Sequence, residues 1–549
     1  MEWATPVQHE RADQYLNTMK LRKTPILIGS CCVGLLLACQ AGNKGSNETV
    51  EDMITIDPKG MRKVGTVDER FQSYNVEMVE VVGGEFWRPY KYMDSLPSPE
   101  AASTYDVSQK ENPMYRKLAP IDLSDRRLVN LAKGLAPAYV RVSGTWANAV
   151  HFQDDDGPPA EKAPAGFVNV LTRSAWKGVV DFVKATDSKL VVSFAVSNGV
   201  RDAHGVWTPR EAQQLVDYTR SIGGDIAAAE LFNEPTMPAA GGAMPASYGS
   251  RDLAKDVAVF KAWVKSKVPG MMTLGPGSVG EGIPVEFPQA AGMSAITTDS
   301  LMSAEPRPVF DGFSYHVYGA VSMRMLREGP FTIKAEHALD DAWLRKSDAI
   351  TRYYAGRRDV YMPGKPLWIT ETAEAAGGGD PFAATYLDCF RYLYQLASSA
   401  RHGVQVHMHN TLAASEYSLI DQDTHLPKPN YWAAFLWAKL MGTEVYDAGE
   451  GAPGLYLFAH DTKGRKGSIT VLVINTNNAA TGIRIPSAAE LYTMTSPELQ
   501  GTTVLLNGQE LQLDANDALP AIHGRPVSAG EVSLPPRSIS FITLEQGAE

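Results

Sequence analysis

The 549-residue chain is 44% hydrophobic and 21% charged, an ordinary globular balance with enough apolar residues to bury one large core and a smaller second one. Its net charge of −11 argues against nucleic acid as a partner, and any basic cleft for an anionic polymer must be built locally against that background. Three of the 4 cysteines (Cys31, Cys32, Cys39) fall near the N-terminus, so Cys389 stands alone in the body, where no disulfide framework or cysteine metal site is expected.

Taken in chain order, residues 1–18 read as a leader or an over-extended start. Met19-Lys20-Leu21-Arg22-Lys23 then supplies a basic region, Pro25 to Leu37 an apolar stretch too short to span a bilayer, and Leu36-Leu37-Ala38-Cys39 a cleavage-like end. The segment resembles a bacterial lipoprotein signal. That implies export, lipidation of Cys39 and a membrane anchor facing periplasm or exterior, with a non-lipidated signal or short anchor as the alternative. Residues 1–39 are thus assigned to leader and signal and residues 40–52 to a small, polar tether. Residues 53–64 are expected to give an edge strand to a later β-domain.

From residue 65 to 441 short apolar runs alternate with amphipathic stretches. The strand-like runs are Gly65–Asp68 continuing toward Tyr74-Asn75-Val76, then Ala138–Val142, Lys189–Ala195, Ile226–Phe232, Met272–Leu274, Gly312–Tyr315, Leu367–Thr370 and Val404–Met408. Helical spacing is found in Ser174–Ala185, Pro209–Ile222, Arg251–Val268, Ala338–Ala355 and Pro381–Ala400. This alternation predicts a (β/α)8 TIM barrel, and no Gly-rich phosphate loop follows the first run to favour a doubly wound sheet. Residues 442–549 change to strand-like runs separated by turns, predicting a C-terminal all-β sandwich.

Two carboxylates sit where barrel chemistry is done. Glu234 closes the fourth run in Phe232-Asn233-Glu234-Pro235, and Glu371 closes the seventh in Trp368-Ile369-Thr370-Glu371-Thr372. Side chains at the C-terminal ends of barrel strands face one pocket, and a retaining glycosidase needs a carboxylate pair there, one as acid/base and one as nucleophile. The sixth run adds His316 and Tyr318, either of which could donate to Glu371, and Asn233 is placed to bind a sugar hydroxyl. His407 and His409 alternate on the eighth run, but no third ligand follows at zinc spacing, so sugar binding by His409 is the expectation and no metal or other cofactor is required. The aromatic stretch Glu85–Tyr92 is expected as a wall or lid, and the loop Ala239–Met244 as a mobile rim.

Several stretches together resemble glycoside hydrolase family 79, the heparanase and β-glucuronidase family of (β/α)8 retaining enzymes. They are Leu135 to Thr145, Ala228 to Pro235, Thr370-Glu371-Thr372 followed by Gly377-Gly378-Gly379, and Glu416 to Asp421 running into Pro429-Asn430-Tyr431-Trp432. The resemblance implies Glu234 as acid/base, Glu371 as nucleophile, Thr145 at the sugar, and Gly377, Gly378 and Tyr417 at a uronate carboxylate. The implied partner is a uronate-containing glycan. Two departures bear on the carboxylate: Ala376 stands where such members tend to have tyrosine, and Ser143-Gly144 where they have a glycine pair. A neutral-sugar β-glycosidase and a catalytically silent glycan-binding lipoprotein are the rival readings.

Overall fold

The computed structural model describes residues 53–93, 112–240, 243–245, 247–283 and 295–546. The signal segment with Cys39, the tether and part of the rim loop lie outside the described residues.

Eight parallel strands close into a barrel. They are β1 (Gln72–Glu77), β2 (Ala138–Ser143), β3 (Ser188–Ser193), β4 (Ile226–Glu230), β5 (Met272–Ser278), β6 (Gly312–Val321), β7 (Leu367–Ala376) and β8 (Val404–His409). Each pairs with its neighbour in sequence, and β8 closes on β1 through His409 opposite Tyr74. Side chains alternate in and out along a strand. Tyr139, Val191, Ala228, Leu274, Trp368 and Val406 form a small apolar cluster of their own, the lower filling of the barrel. Two residues further along the same strands stand Arg141, Ser193, Glu230 and Thr370, so the inward face turns from apolar to charged on the way to the C-terminal rim.

Helices α1 (Arg126–Gly134), α2 (Arg173–Ala185), α3 (Arg210–Ser221), α4 (Ser250–Lys267), α5 (Thr298–Ser303), α6 (Lys346–Tyr361), α7 (Tyr386–Arg401) and α8 (Pro429–Leu440) surround it. Asp125 and Thr172 cap α1 and α2 by accepting from the amides of Leu128 and Ala175. Three of these helices, α1, α5 and α8, are not among the expected helical stretches. α1 and α5 are short, and α8 is apolar on every face because it is buried on almost every face.

The C-terminal region is sheet-rich. A nine-stranded sheet contains Met441–Tyr446, Leu455–Thr462, Ser468–Asn475, Ser538–Glu545 and Ala489–Thr495 as its main strands. One face, with Tyr456, Phe458, Leu472, Ile474 and Phe541, joins the main core, where Tyr394 of α7 packs on Tyr456 and Phe458 with ring centroids 5.2 and 5.4 Å apart. The other face, with Leu457, Val471, Val473 and Ile542, packs on the two-stranded layer Thr481–Ile485 and Gly530–Leu534 through Ile483, Ile485 and Leu534.

The first strand-like run divides. Lys63–Thr66 pairs antiparallel with Met441–Tyr446 in the large sheet, whereas the barrel begins at Gln72. Between them the chain turns at Asp68, which accepts from the Arg70 amide while its carbonyl accepts from Phe71. Residues 65–66 are therefore sheet, not barrel. Further upstream, Thr55 bridges Arg484 in the smaller layer.

Candidate active site

The site is organised around Arg141, a fully buried guanidinium of β2. It donates to Glu230 through Nε and Nη2 at 3.0 and 2.8 Å, to Glu371 through Nη1 at 2.9 Å, and to Asn233 Oδ1 at 2.7 Å. Glu230 also accepts from Ser314 and Thr370, at 2.7 and 2.8 Å. Burial alone would raise the Glu230 carboxyl, but Arg141, His316 and these hydroxyls hold it below the usual range. A buried ion pair of this kind holds its place only because nearly every lone pair and proton finds a partner.

Glu234 follows β4 in an unusual backbone state. Its φ is +58°, in the left-handed region that costs a non-glycine residue about 1 kcal/mol or more. The turn is clamped by Asn148, whose amide group donates to the Asn233 carbonyl and whose oxygen accepts from the Asn233 amide, both at 3.0 Å. Glu234 thereby meets His316 Nδ1 at 2.9 Å. Glu371, from the middle of β7, takes the Tyr318 hydroxyl at 2.6 Å. Of the two candidate donors to Glu371, Tyr318 makes the bond, while His316 bridges Glu234 and Arg141.

A carboxylate oxygen of Glu234, one of Glu371 and a ring nitrogen of His316 lie within 4.8 Å of one another. The two carboxyls are pushed in opposite directions. Burial raises Glu234, with the neighbouring Glu371 charge adding to it. Burial also acts on Glu371, but the charges of His316 and Arg141 and the Tyr318 hydrogen bond outweigh it and leave that group below its ordinary value. His316 is itself raised, because the two carboxylates overcome the burial penalty. The same three groups are near enough to share a cation, yet Arg141 already supplies positive charge at Glu371.

The remaining expected residues divide. Thr145, Tyr318, Gly377 and Tyr417 line a cavity of about 1790 Å³ together with Glu234 and Glu371. Tyr417 accepts a hydrogen bond from Asn410 at 3.1 Å, and Asn410 also reaches Tyr318. Asn233 lies beneath, its oxygen on Arg141. Gly378 is not on the cavity wall. Its φ is +90°, and a Cβ there would lie 2.8 Å from both Arg324 and Trp87, so its glycine is a packing requirement. His409 also turns away: its Nε2 donates to the Tyr417 carbonyl at 2.7 Å, and burial lowers it to about 3, so it is a neutral prop for Tyr417. His407 is bound to Ser399.

The aromatic stretch after β1 forms a wall. Gly84–Trp87 pairs with Tyr115–Leu118, and Trp87 lies 4.9 Å from Tyr115 and 6.3 Å from Trp146 between ring centroids. Tyr90 covers Arg324 with its ring and its amide donates to Glu416, so it belongs to the packing behind the wall.

Four participants are not singled out in the sequence. Arg141 and Glu230 lie inside the family-like stretches Leu135 to Thr145 and Ala228 to Pro235 but are given no role there, and Asn410 has no local signal. Glu77, at the end of β1, lines the cavity with its Oε2 unpartnered and is raised well above the carboxylate range by burial, with Glu371 adding to it.

A parallel (β/α)8 barrel carrying one carboxylate in the turn after β4 and a second on β7, paired across one cavity, is the arrangement of a glycoside hydrolase. Residues 110–397, more than half of the chain, match the model for glycosyl hydrolase family 79, N-terminal domain. The chain belongs to that family. It is 26% identical to heparanase of Mus musculus over 546 residues, covering 85% of this chain and 93% of that one. It is also 26% identical to hyaluronoglucuronidase of Hirudo nipponia over 473 residues, covering 77% and 90%. Among solved structures, a 4-O-α-L-rhamnosyl-β-D-glucuronidase from Fusarium oxysporum shares the fold with a TM-score of 0.59 and 12% identity, covering 90% of this chain and 99% of that one.

Proposed function

We propose that this glycoside hydrolase removes β-linked glucuronic acid with retention of configuration. The observation that carries the mechanism is the carboxylate pair: oxygens within 4.8 Å of each other, on groups shifted in opposite directions. Retaining enzymes place their carboxyls about 5–5.5 Å apart, against roughly 6.5–9.5 Å where a water must fit between. Glu371, kept ionised by Arg141, His316 and Tyr318, attacks the anomeric carbon as the bond to the leaving oxygen breaks. Glu234, whose carboxyl is pushed up by burial and by the neighbouring Glu371 charge, delivers its proton to that oxygen. In the second half Glu234 takes a proton from water, which displaces Glu371 and frees the sugar. Glu77 and Thr145 stand beside the pair on the cavity wall as sugar contacts, with Asn233 beneath them holding Arg141.

The uronate rests on the family and on relatives whose names include a glucuronidase, with the Tyr417 hydroxyl and the Gly377 amide as carboxylate partners. One observation favours a neutral sugar as the second reading. Arg141 is taken up by Glu230 and Glu371, and Arg324 by Glu416, so neither guanidinium is left for a substrate anion. The deciding assay offers 4-nitrophenyl β-D-glucuronide beside the matching glucoside and xyloside. Glucuronide turnover that vanishes in Glu371→Gln is expected. Turnover of a neutral glycoside alone would keep the mechanism and discard the uronate, and turnover of none would remove the reading.

Export and lipidation at Cys39 are proposed from the sequence alone. Detergent phase partitioning should move the protein from the detergent to the aqueous phase on Cys39→Ala; a wild-type chain already in the aqueous phase would refute the anchor.

A further inference from the structure

An acid/base must stand beside the oxygen it protonates, so the leaving group lies where the cavity adjoins Glu234. That side is built by the loop after β4 and by the end of β5. The Met237 amide donates to the Glu234 carbonyl at 2.9 Å, and Met237, Ala239 and Ala240 run half-buried along the cavity. Val279 is held to the same turn by Thr236, whose hydroxyl donates to the Val279 carbonyl and accepts from its amide, both at 3.2 Å. Ile283 extends the wall, and Phe331, whose carbonyl takes the Val321 amide at 2.7 Å, continues it beyond β6.

Five of these six side chains can make no hydrogen bond to a hydroxyl, and the sixth, the Met237 thioether, is only a weak acceptor. A sugar unit seated here would exchange water for carbon, losing hydrogen bonds that no described side chain on this wall restores. A methylene or aryl group instead gains affinity, roughly fourfold for each methylene taken fully out of water. We propose that this wall is the leaving-group subsite and that it takes an apolar aglycone, alkyl or aryl, so that the protein frees a terminal sugar from hydrophobic glycosides. The sugar assignment rests on the glucuronidase reading above; the aglycone assignment does not.

Binding to the full-length Glu371→Gln protein separates the two. Calorimetric titration with methyl, butyl and hexyl β-D-glucuronides, and with the three corresponding glucosides, should show affinity rising at least tenfold from methyl to hexyl in the series that binds. Added Ile283→Asp or Met237→Asp, both at half-buried cavity positions, should reduce that rise to under threefold, with a thermal melt checking that each variant is folded. A rise confined to the glucosides would refute the uronate and leave the aglycone subsite standing. No rise in either series, or a rise that survives both aspartates, would overturn the proposal.

Discussion

Arg141 does at the residue scale what a pair of glutamates cannot do for themselves. Its guanidinium is fully enclosed and forks between Glu230 and Glu371, so it neutralises one carboxylate that never sees substrate and depresses another that lines the cavity. The pH profile of kcat/KM should therefore be a bell. Activity is lost as pH falls through the lowered value of Glu371, which must be ionised to attack, and as pH rises through the raised value of Glu234, which must hold its proton. Arg141→Lys keeps a charge but loses the fork. It should move the acidic limb to higher pH and reduce unfolding stability by about 2–4 kcal/mol in urea; an unmoved limb would mean that Arg141 does not set Glu371. The carboxylate pair was legible in the sequence because each glutamate closes an apolar run, although β7 in fact continues past Glu371 to Ala376. Arg141 was not, because a charge inside a buried strand reads as an interruption until its partners on β4 and β7 are known.

Glycine and aspartate decide the rim at the scale of elements. Gly144, which ends β2 at φ +91°, leaves room for Glu77: a Cβ there would lie 1.5 Å from Glu77 Oε2. Gly144→Ala should displace the Thr145 turn, destabilise by about 2 kcal/mol or more, and raise KM along with lowering kcat, as thermal melts and steady-state kinetics on an aryl glycoside would read. Asp380, after β7, ties three loops together by accepting from the Met323 amide at 2.6 Å and lying 3.5 Å from the Tyr90 hydroxyl, while Tyr90 in turn covers Arg324. Burial raises it from 3.8 to about 6, the Met323 amide and Arg324 offsetting part of the rise. The proton is thus kept in the folded state between those values and released in the unfolded one, so this group's contribution to stability is full below the lower value and lost as pH rises through the upper one. Asp380→Asn cannot ionise. Its stability relative to wild type should climb between pH 4 and pH 7, by up to about 3 kcal/mol, in urea titrations at the two pH values; a constant difference would refute the assignment. Strands were legible because they are short, apolar and separated by amphipathic helices. The helix α8 was not, since a segment enclosed on all sides has no polar stripe to set its period.

At the scale of the whole molecule, the barrel closes on its own strands but its outer helices are not covered by the barrel alone. Helices α7 and α8 are buried almost completely, and part of what covers them is the inner face of the large sheet. Ending the chain at Leu440 should accordingly give aggregated or unfolded protein, and intact protein should melt in one transition followed alike by circular dichroism and tryptophan fluorescence. A soluble truncated barrel with native activity would show the sheet to be an independent appendage. The sequence conveyed the existence of this region through its turn-separated runs, but the change of allegiance at Asp68 depended on a partner strand, Met441–Tyr446, far along the chain.

That partnership bears on how the molecule is made. The strand just ahead of the first barrel stave, Lys63–Thr66, is held by Met441–Tyr446, the strand that follows the last barrel helix. During synthesis the seam between β8 and β1 can be drawn together early, but the clasp behind it has no second half until the ribosome has passed residue 446. The nascent barrel must wait for the C-terminal sheet with its outer helices bare, an interval in which a chaperone would find far more apolar surface than the finished enzyme ever shows.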